Sequence, residues 1–242
     1  MVSQPDLSTN DAAVLQALFD AESSPSAAVE INSTLPSFGL DPTELAKLQS
    51  RELEIIRPLQ PESSSTGTTE PATIQSAIQA LSALIAENPK YPSAYANRAQ
   101  AYRLLLEGQE EGKEETDLSD VISCLFADLG EVISLATPKP ADPLSPLQAR
   151  LLADSHTHRG YLLLKAAKTK RMPFSDTRRV CPAKLQSVGA DTLEEMASRD
   201  FFFGGRYGNK IAQQLAVQTN PYAKMCGAIV KEALKEEIQS YY

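Results

Sequence analysis

The chain has 242 residues and carries 31 Asp and Glu against 23 Lys and Arg, a formal net charge of −8. Nucleic-acid binding needs clustered surplus cations, so this balance argues against a nucleic-acid partner. The hydrophobic share of 42% and the charged share of 22% are those of an ordinary globular protein. The length permits one or two domains.

The first 40 residues are predicted to form a segment distinct from the rest of the chain. Asn10 and Asp11 precede an amphipathic stretch that ends near Asp20, which predicts a short helix. Residues 21–40 are small, polar and interrupted by proline. This composition predicts either a loop laid over the surface or a partly disordered segment.

A series of helices follows, beginning at a clear start signal. Asp41 is a capping residue, Pro42 occupies the first helical position, and Glu44 is placed to complete a capping box. This helix is predicted to end near Pro58. Further helices are predicted over about 74–88, 91–107, 118–135, 146–170, 192–203, 209–218 and 221–241. No alternating strand pattern of useful length occurs, so the fold is predicted to be all-α.

The helices repeat a packing pattern. Residues Tyr95 to Tyr102 resemble the first helix of a tetratricopeptide repeat, with Ala99 as the small residue, and Gly160 takes the same place in the fifth helix. Ala197, Phe201 and Gly204 fit the pattern of the second helix. A small side chain lets the partner helix approach closely while the large residues fill the space beside it.

The spacing of this pattern divides residues 41–242 into three helical hairpins and a cap. The units cover about 41–90, 91–138 and 146–208, and the cap covers 209–242. Since one hairpin cannot bury its apolar stripe alone, about three units are the expected minimum. The prediction is a short α-solenoid with long inter-helix loops and a C-terminal capping helix. Its covering residues are predicted to be Ile211, Leu215, Met225, Ile229 and Leu234.

Three stretches together resemble the tetratricopeptide repeat protein 36 family. They are NDAAVLQALFD, SAYANRAQAYRLL and RDFFFGGRYGNKIAQQLAVQTNPYAKMC, in that order along the chain. The resemblance implies a non-enzymatic, three-repeat adaptor. Because that family is associated with tyrosine metabolism, it also implies a protein that supports a metabolic enzyme rather than catalysing a reaction.

Tetratricopeptide arrays bind peptides in the groove lined by their first helices. The predicted groove residues are Asn97, Gln100, Arg103, His158, Tyr161 and Lys165. A clamp for a C-terminal carboxylate is not expected, because Glu54, Asp154 and His158 stand where its basic residues would be. Asn97 has an alternative role, a hydrogen bond between neighbouring repeats.

No catalytic residue, metal site or cofactor site is predicted. His156 and His158 point about 200° apart on a helix, so they cannot share a metal ion, and a packing role is expected for His156. The chain contains no phosphate-binding loop and no nucleophile motif. We therefore expect a protein that is not an enzyme.

The cysteines and the absence of targeting signals indicate a location in the cytoplasm. Cys124, Cys181 and Cys226 have no metal or redox spacing. The first fifteen residues lack a secretory signal, and no apolar run reaches the ~18 residues of a membrane span. We therefore expect no membrane association.

A basic loop stands out within the acidic chain. Its residues are Lys170, Arg171, Arg178, Arg179 and Lys184, and an acidic loop over residues 107–117 is expected beside it on one rim. Either the two loops screen each other, or the basic loop captures an acidic partner segment. The basic neighbours of Cys181 could lower the pKa of its thiol, which would suit a redox- or ligand-responsive enzyme regulator. Otherwise Cys181 is a bystander on a mobile loop. The preferred prediction is a monomeric adaptor for a protein or peptide partner.

Overall fold

A computed structural model describes residues 29–60, 69–108, 118–139, 142–173, 180–223, 225–227, 229 and 232. The helix predicted before Asp20 lies outside these residues. The α-helices are α1 (Pro42–Ile56), α2 (Pro71–Glu87), α3 (Pro92–Glu107), α4 (Leu118–Ala136), α5 (Pro146–Arg171), α6 (Ala190–Arg206) and α7 (Lys210–Thr219). Residues 221–223 and 225–227 are also helical.

The helices form an array of hairpins. Each helix packs against the next one along the chain, from α1 to α7, and α3 also contacts α5. The hairpins are α1 with α2, α3 with α4, and α5 with α6, and α7 packs on α6. The all-α solenoid-like fold is confirmed. In the part of the chain that the structure describes, no helix is long and apolar enough to cross a membrane.

Proline and capping residues set the helix starts. Proline stands in the first turn of α1, α2, α3 and α5, where its fixed φ angle and missing N–H are tolerated. Asp41 accepts a hydrogen bond of 2.8 Å from the backbone N–H of Thr43, and Glu44 does not complete the predicted box. A full capping box occurs at α5, between Ser145 and Gln148.

The predicted small residues are placed where the helices approach most closely. A Cβ atom on Gly160 of α5 would lie 2.8 Å from the ring of Phe201 on α6. A Cβ atom on Gly204 of α6 would lie 2.6 Å from Oγ1 of Thr157. Real Cβ atoms do not approach other atoms so closely, so only glycine fits these two contacts.

Residues 29–40 lie along the array rather than apart from it. Backbone hydrogen bonds of 2.8 and 2.9 Å and a parallel bridge join residues 30–32 to Leu144, just before α5. Phe38, with a left-handed φ of 60°, makes an edge contact with Tyr91 at 6.3 Å between ring centroids. This segment therefore connects the starts of α3 and α5. The division of the chain at residue 40 stays a prediction.

The predicted covering face of the cap is wrong in part. Ala212 and Ala216 of α7 are buried against the third hairpin, and Leu215 packs beside them. Ile211, Met225 and Ile229 are exposed instead. A Cβ atom on Gly204 would lie 3.1 Å from Cβ of Ala212, so α7 approaches α6 closely and buries its small residues there. Leu234 lies outside the described residues.

Candidate functional site

The predicted groove residues of α3 and α5 meet where these two helices contact each other. The side-chain nitrogen of Gln100 lies 3.4 Å from Nδ1 of His158. Arg103 donates a hydrogen bond of 2.9 Å from Nε to Oε1 of Gln100. It also forms an ion pair of 2.7 Å with Glu107, one turn further along α3. The structure therefore brings three of the six predicted groove residues into one polar cluster.

His158 is neutral at pH 7. Burial lowers the pKa of its imidazole to about 4, and the nearby Arg103 guanidinium contributes in the same direction. Its Nε2 atom is buried and has no hydrogen-bond partner among the described residues. An imidazole held in the neutral form keeps one nitrogen as a donor and the other as an acceptor.

The remaining groove residues stand beside the cluster. Tyr161 is 45% exposed and makes an edge contact of 5.3 Å between ring centroids with Phe201. Lys165 is exposed one turn further along α5. Asn97 is half-buried, and within the described part of the chain it makes no hydrogen bond to a neighbouring repeat. The inter-repeat role considered for Asn97 is therefore not observed there.

Two of the five cations of the basic loop bind groups within the protein. Lys170 donates hydrogen bonds to the carbonyl oxygens of Gln186 and Val188, the second at 2.7 Å. Arg171 forms ion pairs of 2.7 Å with Asp191 and Glu194. These two cations hold the start of α6 against the end of α5 rather than facing a partner. Of the other three, Lys184 is exposed, and Arg178 and Arg179 lie outside the described residues. The acidic loop lies mostly outside them too.

Cys181 is buried, and its thiol is not activated. Its side chain is fully buried in the hydrophobic core of the third hairpin. Burial raises the pKa of the thiol, and the opposing influence of Lys170 is smaller. The proposed lowering of this pKa is therefore wrong, because desolvation penalises the thiolate more than nearby cations stabilise it.

A buried polar cluster between α5 and α6 was not predicted from the sequence. Arg159 donates two hydrogen bonds of 2.7 Å to the carboxylate of Asp200, and Nδ1 of His156 lies 2.9 Å from the same group. His156 does take the packing role expected of it, stacking on Phe203 at 5.2 Å and on Tyr207 at 6.0 Å. A second Arg–Asp pair, Arg98 with Asp128, joins α3 to α4. In both first helices the arginine directly precedes the small residue, and this repeated position was the signal for the pair in the sequence.

Across the described ranges, no group of three or more His, Cys, Asp or Glu side chains could hold a metal ion. The expectation of a non-enzymatic protein remains a prediction.

Comparisons with known proteins identify relatives along nearly the whole chain. The chain is 58% identical to the L-tyrosine degradation gene cluster protein hmgX of Aspergillus fumigatus, over 98% of this chain and 95% of that protein. It is 31% identical to tetratricopeptide repeat protein 36 of Danio rerio, over 95% of this chain and 94% of that protein. No family model and no solved structure matches the chain. The chain therefore belongs to the family of the hmgX protein, with a more distant relation to tetratricopeptide repeat protein 36.

Proposed function

We propose that this protein is a non-enzymatic adaptor that holds a peptide or protein partner in the groove along α3 and α5. The observation that carries the proposal is the contact between Gln100 and His158, because it joins the first helices of two repeats into one continuous face. Tyr161 and Lys165 are exposed beside that contact. First-helix faces of repeat arrays are the surfaces that bind extended peptides.

The chemistry of the groove favours a neutral or mildly acidic peptide segment. Glu107 already neutralises Arg103, and His158 carries no charge at pH 7. Lys165 and the exposed ring of Tyr161 remain to contact a partner. A peptide backbone can exchange hydrogen bonds with the amide of Gln100, while an acidic side chain can pair with the ammonium group of Lys165.

The partner we propose is an enzyme of tyrosine metabolism. The 58% identical relative is a protein of an L-tyrosine degradation gene cluster, which supports this assignment. We place the adaptor in the cytoplasm and expect it to act as a monomer. The alternative, a regulator that responds through Cys181, gains no support from a thiol that is fully buried.

A capture experiment tests the groove. The purified chain, immobilised, is exposed to an extract of cells grown on tyrosine, and bound proteins are identified by mass spectrometry. The test variant combines Asn97→Ala, Arg103→Ala and Tyr161→Ala. We expect it to lose the partners that the unchanged chain recovers. Undiminished recovery would rule out the groove.

Two controls accompany the capture. A variant with Glu131→Ala and Glu195→Ala changes exposed residues on the second helices α4 and α6, and it should recover the same partners as the unchanged chain. Thermal unfolding must show that the triple variant stays folded. Deleting the gene should slow growth on tyrosine but not on glucose. Complementation by the triple variant that restored full growth would contradict a role of the groove in tyrosine metabolism.

A further inference from the structure

A cavity of about 530 Å³ opens between the second helices α4 and α6, with α5 as its floor. It does not belong to the groove. Its floor includes His156, whereas the groove includes His158, and side chains two positions apart on a helix point about 200° from each other. The volume lies within the range of about 300–1,000 Å³ that is typical of small-molecule sites.

The cavity has a surplus of positive charge in a chain of net charge −8. Arg159, Arg199 and Asp200 all line it. The carboxylate of Asp200 is fully engaged by Arg159 and His156. Arg199 is exposed and forms no ion pair with any described residue. The guanidinium of Arg199 therefore remains for an anion.

The apolar part of the lining contains three aromatic rings together with the aliphatic side chains of Ile133, Leu163, Leu185 and Met196. Phe126 comes from α4, while Phe203 and Tyr207 come from α6 and its end. The His156 ring stacks on both of the latter, with centroid distances of 5.2 and 6.0 Å. Arg199 lies 6.0 Å from the centroid of the Phe203 ring. A ring bound in this cavity would therefore meet other rings, with a cation at one side.

We propose that this cavity binds a small aromatic carboxylic acid. Its carboxylate pairs with Arg199, and its ring packs among Phe126, Phe203 and Tyr207. The ligand needs both a carboxylate and a ring to contact both parts of the lining. An apolar ligand would not pair with Arg199, and a simple anion would not pack against the aromatic rings. The proposal is independent of the groove and of any protein partner.

The probe is phenylacetate, with 2-phenylethanol as an uncharged ligand of the same carbon skeleton. The chain has only two histidines, so imidazole NMR signals report on both surfaces at once. The variant His158→Gln lacks one of the two imidazole signals and thereby assigns both. Because so small a ligand binds weakly, phenylacetate is added to about 1 mM. We expect it to shift the His156 signal and leave the His158 signal in place. The alcohol should bind about tenfold more weakly.

The matched variants are Arg199→Met and Arg150→Met. Arg199 lines the cavity, whereas Arg150 is on the exposed surface of α5 with 80% of its side chain accessible. Arg199→Met should weaken phenylacetate binding about tenfold, and Arg150→Met should not change it. An unmoved His156 signal would overturn the proposal. Equal binding of the alcohol, or unchanged affinity in Arg199→Met, would overturn the assignment of an anionic ligand.

Discussion

The guanidinium of Arg159 binds the carboxylate of Asp200 through two hydrogen bonds of 2.7 Å. The same contact joins Arg98 to Asp128 one hairpin earlier, with distances of 2.8 and 2.7 Å. Each arginine directly precedes the small residue of its first helix. A bidentate pair fixes the orientation of both planar groups, so it sets how the two helices of a hairpin meet. The second and third hairpins share this device.

Replacing Asp200 by Asn should destabilise the protein. Asp200 is 4% exposed, and loss of its negative charge leaves the guanidinium of Arg159 without a counter-charge in a poorly solvated place. We expect the free energy of unfolding to fall by about 2–3 kcal/mol, somewhat less than for a fully buried pair because Arg159 reaches water. Urea unfolding measures this. Asp191→Asn on the same helix, with 98% of its side chain exposed, should change it by less than about 0.5 kcal/mol.

The pH dependence of that difference is a further check on Asp200. Burial raises the pKa of its carboxyl, but hydrogen bonds from Arg159 and His156 outweigh burial and hold the pKa below its usual value. A lowered folded-state pKa stabilises the protein above the unfolded-state pKa of about 3.9. That stabilisation is lost as the pH falls through the lower folded-state value. A gap between unchanged chain and variant that grew on acidification would contradict this assignment.

Adding one methyl group at Gly160 should also destabilise the protein. The new Cβ atom would lie 2.8 Å from the ring of Phe201, which is fully buried. We expect Gly160→Ala to lower the free energy of unfolding by about 1–3 kcal/mol through overpacking. Thermal and urea unfolding give the measurement.

Gly130 is the matched control for that substitution. It lies within α4, and a Cβ atom there meets nothing within 4 Å. Alanine is favoured over glycine in a helix by about 0.5–1 kcal/mol, so Gly130→Ala should stabilise the protein. Equal effects of the two substitutions would show that Gly160 is not a close-contact position.

The contact between Gly160 and Phe201 could be predicted from sequence, because a small residue on one helix and a large residue on its partner are typical of closely packed helices. For the cluster around Asp200, the arginine before the small residue signals a polar contact, but Asp200 and His156 are 44 residues apart and no local period relates the two, so the whole cluster could not be predicted. The orientation of α7 was mispredicted for a related reason. Hydrophobicity favours Ile211 as the covering residue, but small residues of α7 are buried where Gly204 and Ala212 approach each other closely. Local sequence patterns predict where each helix lies, whereas the distance between neighbouring helices determines which face of a helix is buried.

His158 should make the protein less stable as the pH falls below 6.5. Its pKa is lowered to about 4, so the unfolded chain binds a proton between these values while the folded chain does not. The loss amounts to at most about 3 kcal/mol. His158→Gln should remove this part of the pH dependence between pH 7 and pH 4.5. Direct NMR titration gives the pKa itself, and a His158 value near 6.5 would show that the imidazole is solvated.

The three cysteines should react with a thiol reagent in two distinct classes. Cys124 and Cys226 are exposed, whereas Cys181 is fully buried among core residues of the third hairpin and burial raises the pKa of its thiol. A thiol reagent added to the native protein should therefore modify two cysteines quickly. Cys181 should react at least about a hundredfold more slowly, because its modification requires local opening.

Two serine variants, at Cys181 and Cys124, test whether Cys181 acts through packing in the core or through the chemistry of its thiol. Cys181→Ser places a hydroxyl in the apolar core that contains Leu163 and Phe201, and it should lower the free energy of unfolding by about 1–2 kcal/mol. Cys124→Ser on the exposed side of α4 should change it by less than about 0.5 kcal/mol. Partner recovery should be the same in both variants. Rapid modification of native Cys181, or loss of partners in Cys181→Ser alone, would restore the redox-responsive alternative over the groove.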